Sequence, residues 1–185
     1  MIIKNILRKY KKIRESLYPL ELQAERAGVK IGSNNDFASR FWDSAEPYLI
    51  TIGNNCQITK DVKIFTHGGA NVLRYKLPKF DVFGKVTIGD NVYIGNNALI
   101  LPGVNIGNNV LIAAGAVVCH SIPNDVVVGG NPARILCTLN EYYHRNLPFN
   151  TDTKGLNYNH KKMILTNLPE EKFIKKRLIS ASVKQ

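Results

Sequence analysis

The side chains of this 185-residue chain that could do chemistry are four histidines, three cysteines and a large surplus of lysine and arginine. His67 stands out by its neighbours, Thr66, Gly68 and Gly69. An imidazole has an ordinary pKa of about 6.5, so it can take a proton near neutrality and return it. Two glycines let another molecule come close to the backbone. Between Thr66 and Asn71, only the His67 side chain can do both halves of that transfer. This is the equipment needed to activate a weak nucleophile such as a hydroxyl. On spacing alone, a surface-loop histidine without a chemical role is the simpler reading. Asp36, Asp43 and Asp61 are carboxylates that could orient it, and nothing in the spacing chooses among them. His120, His144 and His160 fall on a turn and in the tail, and read as solvated.

The cysteines, Cys56, Cys119 and Cys137, are odd in number and far apart, with no CxxC pair. Neither a zinc site nor a disulfide framework is expected, and a reducing compartment suits them. The formal charge of +11 points to an anionic partner or to a solvated basic surface. No zinc finger, helix-turn-helix or aromatic RNA motif accompanies it, so nucleic acid is not the expected partner. Near the N-terminus Ile2, Ile3, Ile6 and Leu7 alternate with Lys4, Arg8, Lys9, Lys11 and Lys12, unlike the apolar block of a signal peptide. No stretch approaches the roughly 18 apolar residues of a membrane span. The expectation is a protein kept in the cytoplasm.

What must position these groups is a six-residue period. Ile88, Ile94, Ile100, Ile106, Ile112 and Val118 are six apart, and Ile52, Ile58 and Ile64 form an earlier block in the same phase. Neither a helix nor a plain strand has this period. Four residues after each leading aliphatic come Cys56, Val62, Val92, Ala98, Val104, Val110, Ala116 and Ile122. Three residues after it come Asn55, Asp61, Asn91, Asn97, Gly103, Asn109, Gly115 and Ser121, mostly types that tolerate a left-handed turn. Each hexamer therefore reads as a short strand with two inward side chains, then a turn. Three hexamers close one coil of a triangular prism, and stacked coils bury what one cannot. Cys119 occupies a slot otherwise filled by small residues, so a packed structural cysteine is favoured over an acyl-carrying nucleophile.

The fold class that follows is mainly β: a parallel β-helix with an N-terminal helix, an extruded loop and a C-terminal helical tail. Residues 1–28 are expected as a helical cap, with one amphipathic helix over 2–27 that Pro19 kinks or interrupts. Packing on the first coil with solvated lysines is favoured over peripheral membrane contact, which stays open. Residues 29–136 are assigned to the β-helix and 137–185 to a helical extension. Residues 36–48, with Trp42, break the period. So do residues 67–81, where the in-phase Ala70 and Lys76 are unsuited to an interior. A long loop in a compact domain is usually functional, and its Arg74 and Lys76 either meet an anionic acceptor or are merely solvated. Val126–Val128 read as a last strand before Gly129-Gly130-Asn131-Pro132. Helices are expected near 138–146 and from Glu170 to about 180.

The stretch from Ile50 to Leu136 resembles the hexapeptide-repeat acyltransferases. IGNNALILPGVNIGNNVLIAAGAVVCHSIPNDVVVGGNPARI is similar to the C-terminal half of galactoside, maltose and serine acetyltransferases. FTHGGANVLRYKLPKFDVFGKVTIGDNVYIG looks most like bacterial polysaccharide O-acetyltransferases. The resemblance implies a left-handed winding, a homotrimer and sites between subunits. It implies acetyl-CoA as co-substrate and a sugar or glycan acceptor, in a surface-polysaccharide pathway. It makes His67 the general base and Ala114 a backbone contact for the pantetheine arm. It sets Asn96 beside the thioester, Tyr93 as an aromatic lining residue and Arg134 near the CoA phosphates. Cys119 and His120 stand where the family often has Thr-Lys near the nucleotide, and a neutral histidine is a weaker phosphate partner than lysine. An N-acetyltransferase for an amino sugar, an antibiotic acetyltransferase and a non-catalytic scaffold are the alternatives. A β-helical carbonic anhydrase is discounted because the chain lacks an HxxxxH pair, and no metal is expected.

Overall fold

The computed structural model describes residues 17–43, 45–176 and 178. In the hexad region the chain makes strands of two or three residues separated by turns, and successive strands enter three different sheets. The first sheet holds β1 (Lys30–Ile31), β3 (Ile50–Ile52), β6 (Val86–Ile88) and β9 (Asn105–Ile106). The second holds β2 (Asp36–Phe37), β4 (Gln57–Ile58), β7 (Tyr93–Ile94), β10 (Leu111–Ile112), β12 (Val126–Gly129) and β13 (Arg134–Thr138). The third holds β5 (Lys63–Ile64), β8 (Leu99–Ile100) and β11 (Val117–Val118). All pairings are parallel except β12 with β13. This is a parallel β-helix of triangular section. The expected inward aliphatics, Ile52 to Val118, are buried, as are the second-slot residues Cys56 to Ile122. Each buried isoleucine contributes roughly 1.5–3 kcal/mol of hydrophobic stabilisation, and stacking makes the contribution continuous along the axis.

The coils are not of equal length. Tyr93 pairs with Leu111, a step of 18, whereas Asp36 pairs with Gln57, a step of 21. Gln57 pairs with Tyr93, a step of 36, and Leu111 with Val127, a step of 16. The extruded loop thus adds one coil's worth of residues, which is why the period resumes in phase beyond it. Residues 36–48, which break the period, complete the longer first coil. There Phe37, Phe41 and Trp42 are buried edge to face, with ring centroids 5.1 and 4.8 Å apart. Large aromatic side chains fill the prism end where the narrow hexad core stops.

One corner is built from paired asparagines. Asn55, Asn91 and Asn109 have φ near +56°, the left-handed region. Their side chains form a ladder along the axis: Asn55 donates to Asn91 (3.3 Å), Asn91 to Asn109 (3.0 Å) and Asn109 to Asp125 (2.8 Å). The turn residue Ser121 departs from the expected pattern. It is not left-handed, and Asp125 takes that conformation instead, because the last coil is two residues short. Close approach also matters: a Cβ on Gly89 would strike the Gly107 backbone and Asn108 of the next coil. Asn109→Ala should cost about 1–2 kcal/mol, from the left-handed backbone and the lost ladder bonds. Asn109→Gly should cost less, since it keeps the turn, and chemical denaturation of the pair checks the order.

Within the described residues the helix expected over 2–27 does not run through Pro19. The described helix is Leu20–Ala27, and residues 2–16 lie outside the described residues. Pro19, with ψ of 148°, stands in extended geometry just before it. Gly28, at φ 110°, ends it. Ala24 is fully buried, and Glu21 accepts the Phe37 N–H at 3.0 Å, fixing the helix to the first coil.

After cis Asn131–Pro132 the chain returns as β13, antiparallel to β12, so the repeat ends in a hairpin. The chain divides into two compact units with the boundary after Leu139. The second contains most of the helix Leu139–Asn146 and the helix Tyr158–Thr166. Asn157 caps the latter, accepting the His160 N–H at 3.0 Å. Of the helix expected from Glu170 to about 180, the described residues hold only a short 3-10 turn, Glu170–Lys172, because Phe173 is already extended; residues 177 and 179–180 lie outside the described residues.

Candidate active site

The neck of the extruded loop closes on His67. Gly84 donates its N–H to the Thr66 carbonyl at 2.7 Å, and His67 bridges antiparallel to Phe83. The Phe83 ring lies 5.8 Å from the imidazole, tilted by 55°. Beyond the neck Ala70 is buried at the start of a 3-10 turn, Ala70–Leu73, although its in-phase position looked unsuited to the interior. Arg74 is committed within the loop: its Nε donates to the Phe80 carbonyl at 3.1 Å and its guanidinium lies 3.7 Å from Asp81. The Lys76 ammonium sits 5.5 Å over the Tyr75 ring.

His67 has an orienting carboxylate, and it is Glu46. The His67 Nδ1 is 2.8 Å from Glu46 Oε2. Thr66, fully buried, donates its hydroxyl to the same oxygen at 2.5 Å and accepts the Glu46 N–H at 2.8 Å. A buried hydroxyl that both donates and accepts is satisfied, and it pins Glu46 at backbone and side chain together. The Thr66 hydroxyl, with lesser help from His67, holds the Glu46 carboxyl below its ordinary carboxylate value against the opposing effect of burial. Glu46 is therefore ionised at neutral pH and can only accept. Nδ1 must carry the proton, and the Nε2 lone pair is left to act as a base. The His67 side chain remains 43 % exposed, so a substrate can reach it.

Three other carboxylates are corrected as partners for His67. Asp36 accepts from Gln57 at 2.7 Å, Asp43 pairs with Arg40 at 3.3 Å, and Asp61 occupies a left-handed turn. Glu46 and His67 are 21 residues apart, the same step that separates the first coil from the second. The carboxylate thus lies one coil below the histidine. Only the unequal length of the first coil could have disclosed this from the sequence.

The remaining candidate residues fall on two edges of the third sheet. His67, Cys119 and His120 lie on turns that lead from the third sheet to the first. There His120, Ile122, Ala133 and Arg134 border a depression of about 490 Å³. Arg134 is exposed, with one guanidinium nitrogen donating to the Ala133 carbonyl at 3.0 Å. Asn96 and Ala114 lie on turns along the other edge, between the second sheet and the third. Tyr93, in β7, is 39 % exposed just before that edge. The Asn96 side chain accepts the Lys60 N–H at 3.1 Å, and Gly95 packs under the Ala114 backbone. A broad face thus separates the two groups within one chain.

The reading of Cys119 as packed is corrected. Val118 points inward, so the next side chain points out, and Cys119 is exposed with Sγ 3.2 Å from His120 Nδ1. Cys56 is the packed one: it donates to the Gly89 carbonyl, and burial pushes its thiol up from the ordinary value.

The prism agrees with what the chain resembles among known proteins. Residues 85–120 match the family described as bacterial transferase hexapeptide (six repeats). The chain is 45% identical over 150 residues to protein CapG of Staphylococcus aureus, spanning 80% of this chain and 87% of that protein. It is 33% identical over 126 residues to the galactoside O-acetyltransferase of Escherichia coli, covering 62% of this chain and 61% of that enzyme. The fold is similar to the crystal structure of a hexapeptide-repeat acetyltransferase from Vibrio cholerae. That match has a TM-score of 0.54 and 26% identity over 64% of this chain and 78% of that one. The chain belongs to the bacterial hexapeptide-repeat transferases, and within them it is an acetyltransferase. Membership also implies that the prism winds left-handed.

Proposed function

We propose that the protein transfers the acetyl group of acetyl-CoA directly to a sugar hydroxyl, with His67 as general base, in the assembly of a surface glycan. The observation that carries this is the 2.8 Å contact between His67 Nδ1 and Glu46 Oε2, which leaves Nε2 as the base. Nε2 takes the hydroxyl proton as the oxygen attacks the thioester carbonyl carbon. The tetrahedral oxyanion collapses, the C–S bond breaks, and the departing thiolate takes the proton from the imidazolium to give free CoA. Glu46 stabilises that imidazolium while it lasts. The similarity to a galactoside O-acetyltransferase supports a sugar as acceptor.

The division of candidate residues between two edges supports a homotrimer. Packing neighbouring prisms side by side would bring the His67 edge of one copy toward the Ala114 edge of the next. Acetyl-CoA lies in that groove, its thioester near His67 and Asn96, its pantetheine arm against Tyr93 and Ala114. Its phosphates lie by Arg134, with Cys119 and His120 beside them. The enzyme works in the cytoplasm, where acetyl-CoA is made.

The test is a panel of soluble sugars incubated with acetyl-CoA, read by thiol release, together with sedimentation velocity. The expected result is release that requires a hydroxyl acceptor, from a trimeric enzyme, with a product that loses its acetyl group in mild alkali. An alkali-stable amide product, acceptor-independent release, or a purely monomeric active enzyme would overturn the reading.

A further inference from the structure

The basic surplus is not spread along the chain. Residues 17–139 carry 10 Lys and Arg against 9 Asp and Glu, close to neutrality. Residues 1–16 carry 6 against 1, and residues 140–185 carry 9 against 4. The charge that pointed to an anionic partner therefore resides in the terminal segments rather than on the prism.

The C-terminal unit has a second property. Among its described residues only Thr153 is buried. Tyr158, Met163, Phe173 and Ile174 are exposed, Tyr158 by 77%. Lysines accompany them: Lys161 and Lys162 on the helix Tyr158–Thr166, which has no acidic residue, and Lys172, Lys175 and Lys176 beyond it. Glu170 and Glu171 are the local counter-charges. Among the described residues no helix is long and apolar enough to cross a membrane.

We propose that the C-terminal extension docks on an anionic phospholipid bilayer. Two copies of this unit meeting face to face would repel each other, and a contact with a neighbouring subunit's prism is the outcome that the oligomer measurement below tests. A soluble polyanion would use the lysines but leave the apolar side chains in water. A bilayer takes both, lysines at the phosphates and Tyr158, Met163 and Phe173 at the acyl boundary. Such docking would bring the enzyme to glycan acceptors carried on lipid. Binding is read without catalysis, so its failure is distinct from failure of the acetyl-transfer reading.

The test is co-sedimentation of the full-length protein with vesicles, at about 150 mM salt, where surface charge still acts over a Debye length of about 8 Å. The vesicles are phosphatidylcholine alone, or phosphatidylcholine with phosphatidylglycerol. The protein should pellet with the anionic vesicles only. Replacing Lys161, Lys162, Lys172, Lys175 and Lys176 by Gln should lower partitioning at least about 10-fold. Replacing Tyr158, Met163 and Phe173 by Ser should also lower it. Both variants should keep the wild-type oligomer and its turnover of a soluble acceptor. No pelleting would overturn the proposal. So would heparin binding that the serine variant retains with vesicle binding unchanged, which identifies a polyanion, or loss of the oligomer in the Gln variant, which identifies a subunit contact.

Discussion

His67→Ala should lower kcat by about 10²–10⁴ while leaving acetyl-CoA affinity unchanged, because it removes a proton acceptor used only in the transition state. The fold should survive the change. His67 lies on a turn, and its side chain is only partly covered, while the neck holds through the Gly84–Thr66 backbone bond. The check is paired: turnover with a confirmed sugar acceptor, and cofactor binding by calorimetry. Near-wild-type turnover would remove His67 from the mechanism and turn attention to Cys119, exposed beside His120.

Glu46→Gln should lower kcat by about 10–10²-fold, less than loss of the base itself. The amide oxygen can still accept from Nδ1 and from Thr66, so geometry and tautomer are largely kept. What is lost is the negative charge that stabilises the imidazolium formed as the hydroxyl attacks. The loss should fall on kcat with KM for both substrates little changed, a split that a merely structural role would not produce. Glu46→Ala should fall further, since it also leaves Thr66 with a buried hydroxyl lacking its acceptor. The same carboxylate links stability to pH. Its value is depressed in the folded state, so its contribution is present above the ordinary carboxylate range and is lost as pH falls through the depressed value. Thermal unfolding of Glu46→Gln and wild type should converge at low pH and diverge toward neutrality.

The β-helix was legible in the sequence because its period is local. A leading aliphatic every six residues and a left-handed turn former three positions later are conditions that each hexamer meets alone. The buried column from Ile52 to Val118 and the turn asparagines at φ near +56° follow from them directly. His67 is legible for the same reason, since its base chemistry and flanking glycines are contiguous. Its partner was not legible. Glu46 meets His67 only through a first coil that runs 21 residues instead of 18, and that length depends on how Phe37, Phe41 and Trp42 pack the prism end. The outward turn of Cys119, by contrast, follows from strand alternation beside the inward Val118, whereas the early end of the 3-10 turn at Lys172 goes with the extended backbone of Phe173. Residues spaced by the repeat announce themselves along the chain. Contacts between coils of unequal length exist only once the chain is wound, because register, rather than residue type, decides which side chains face each other.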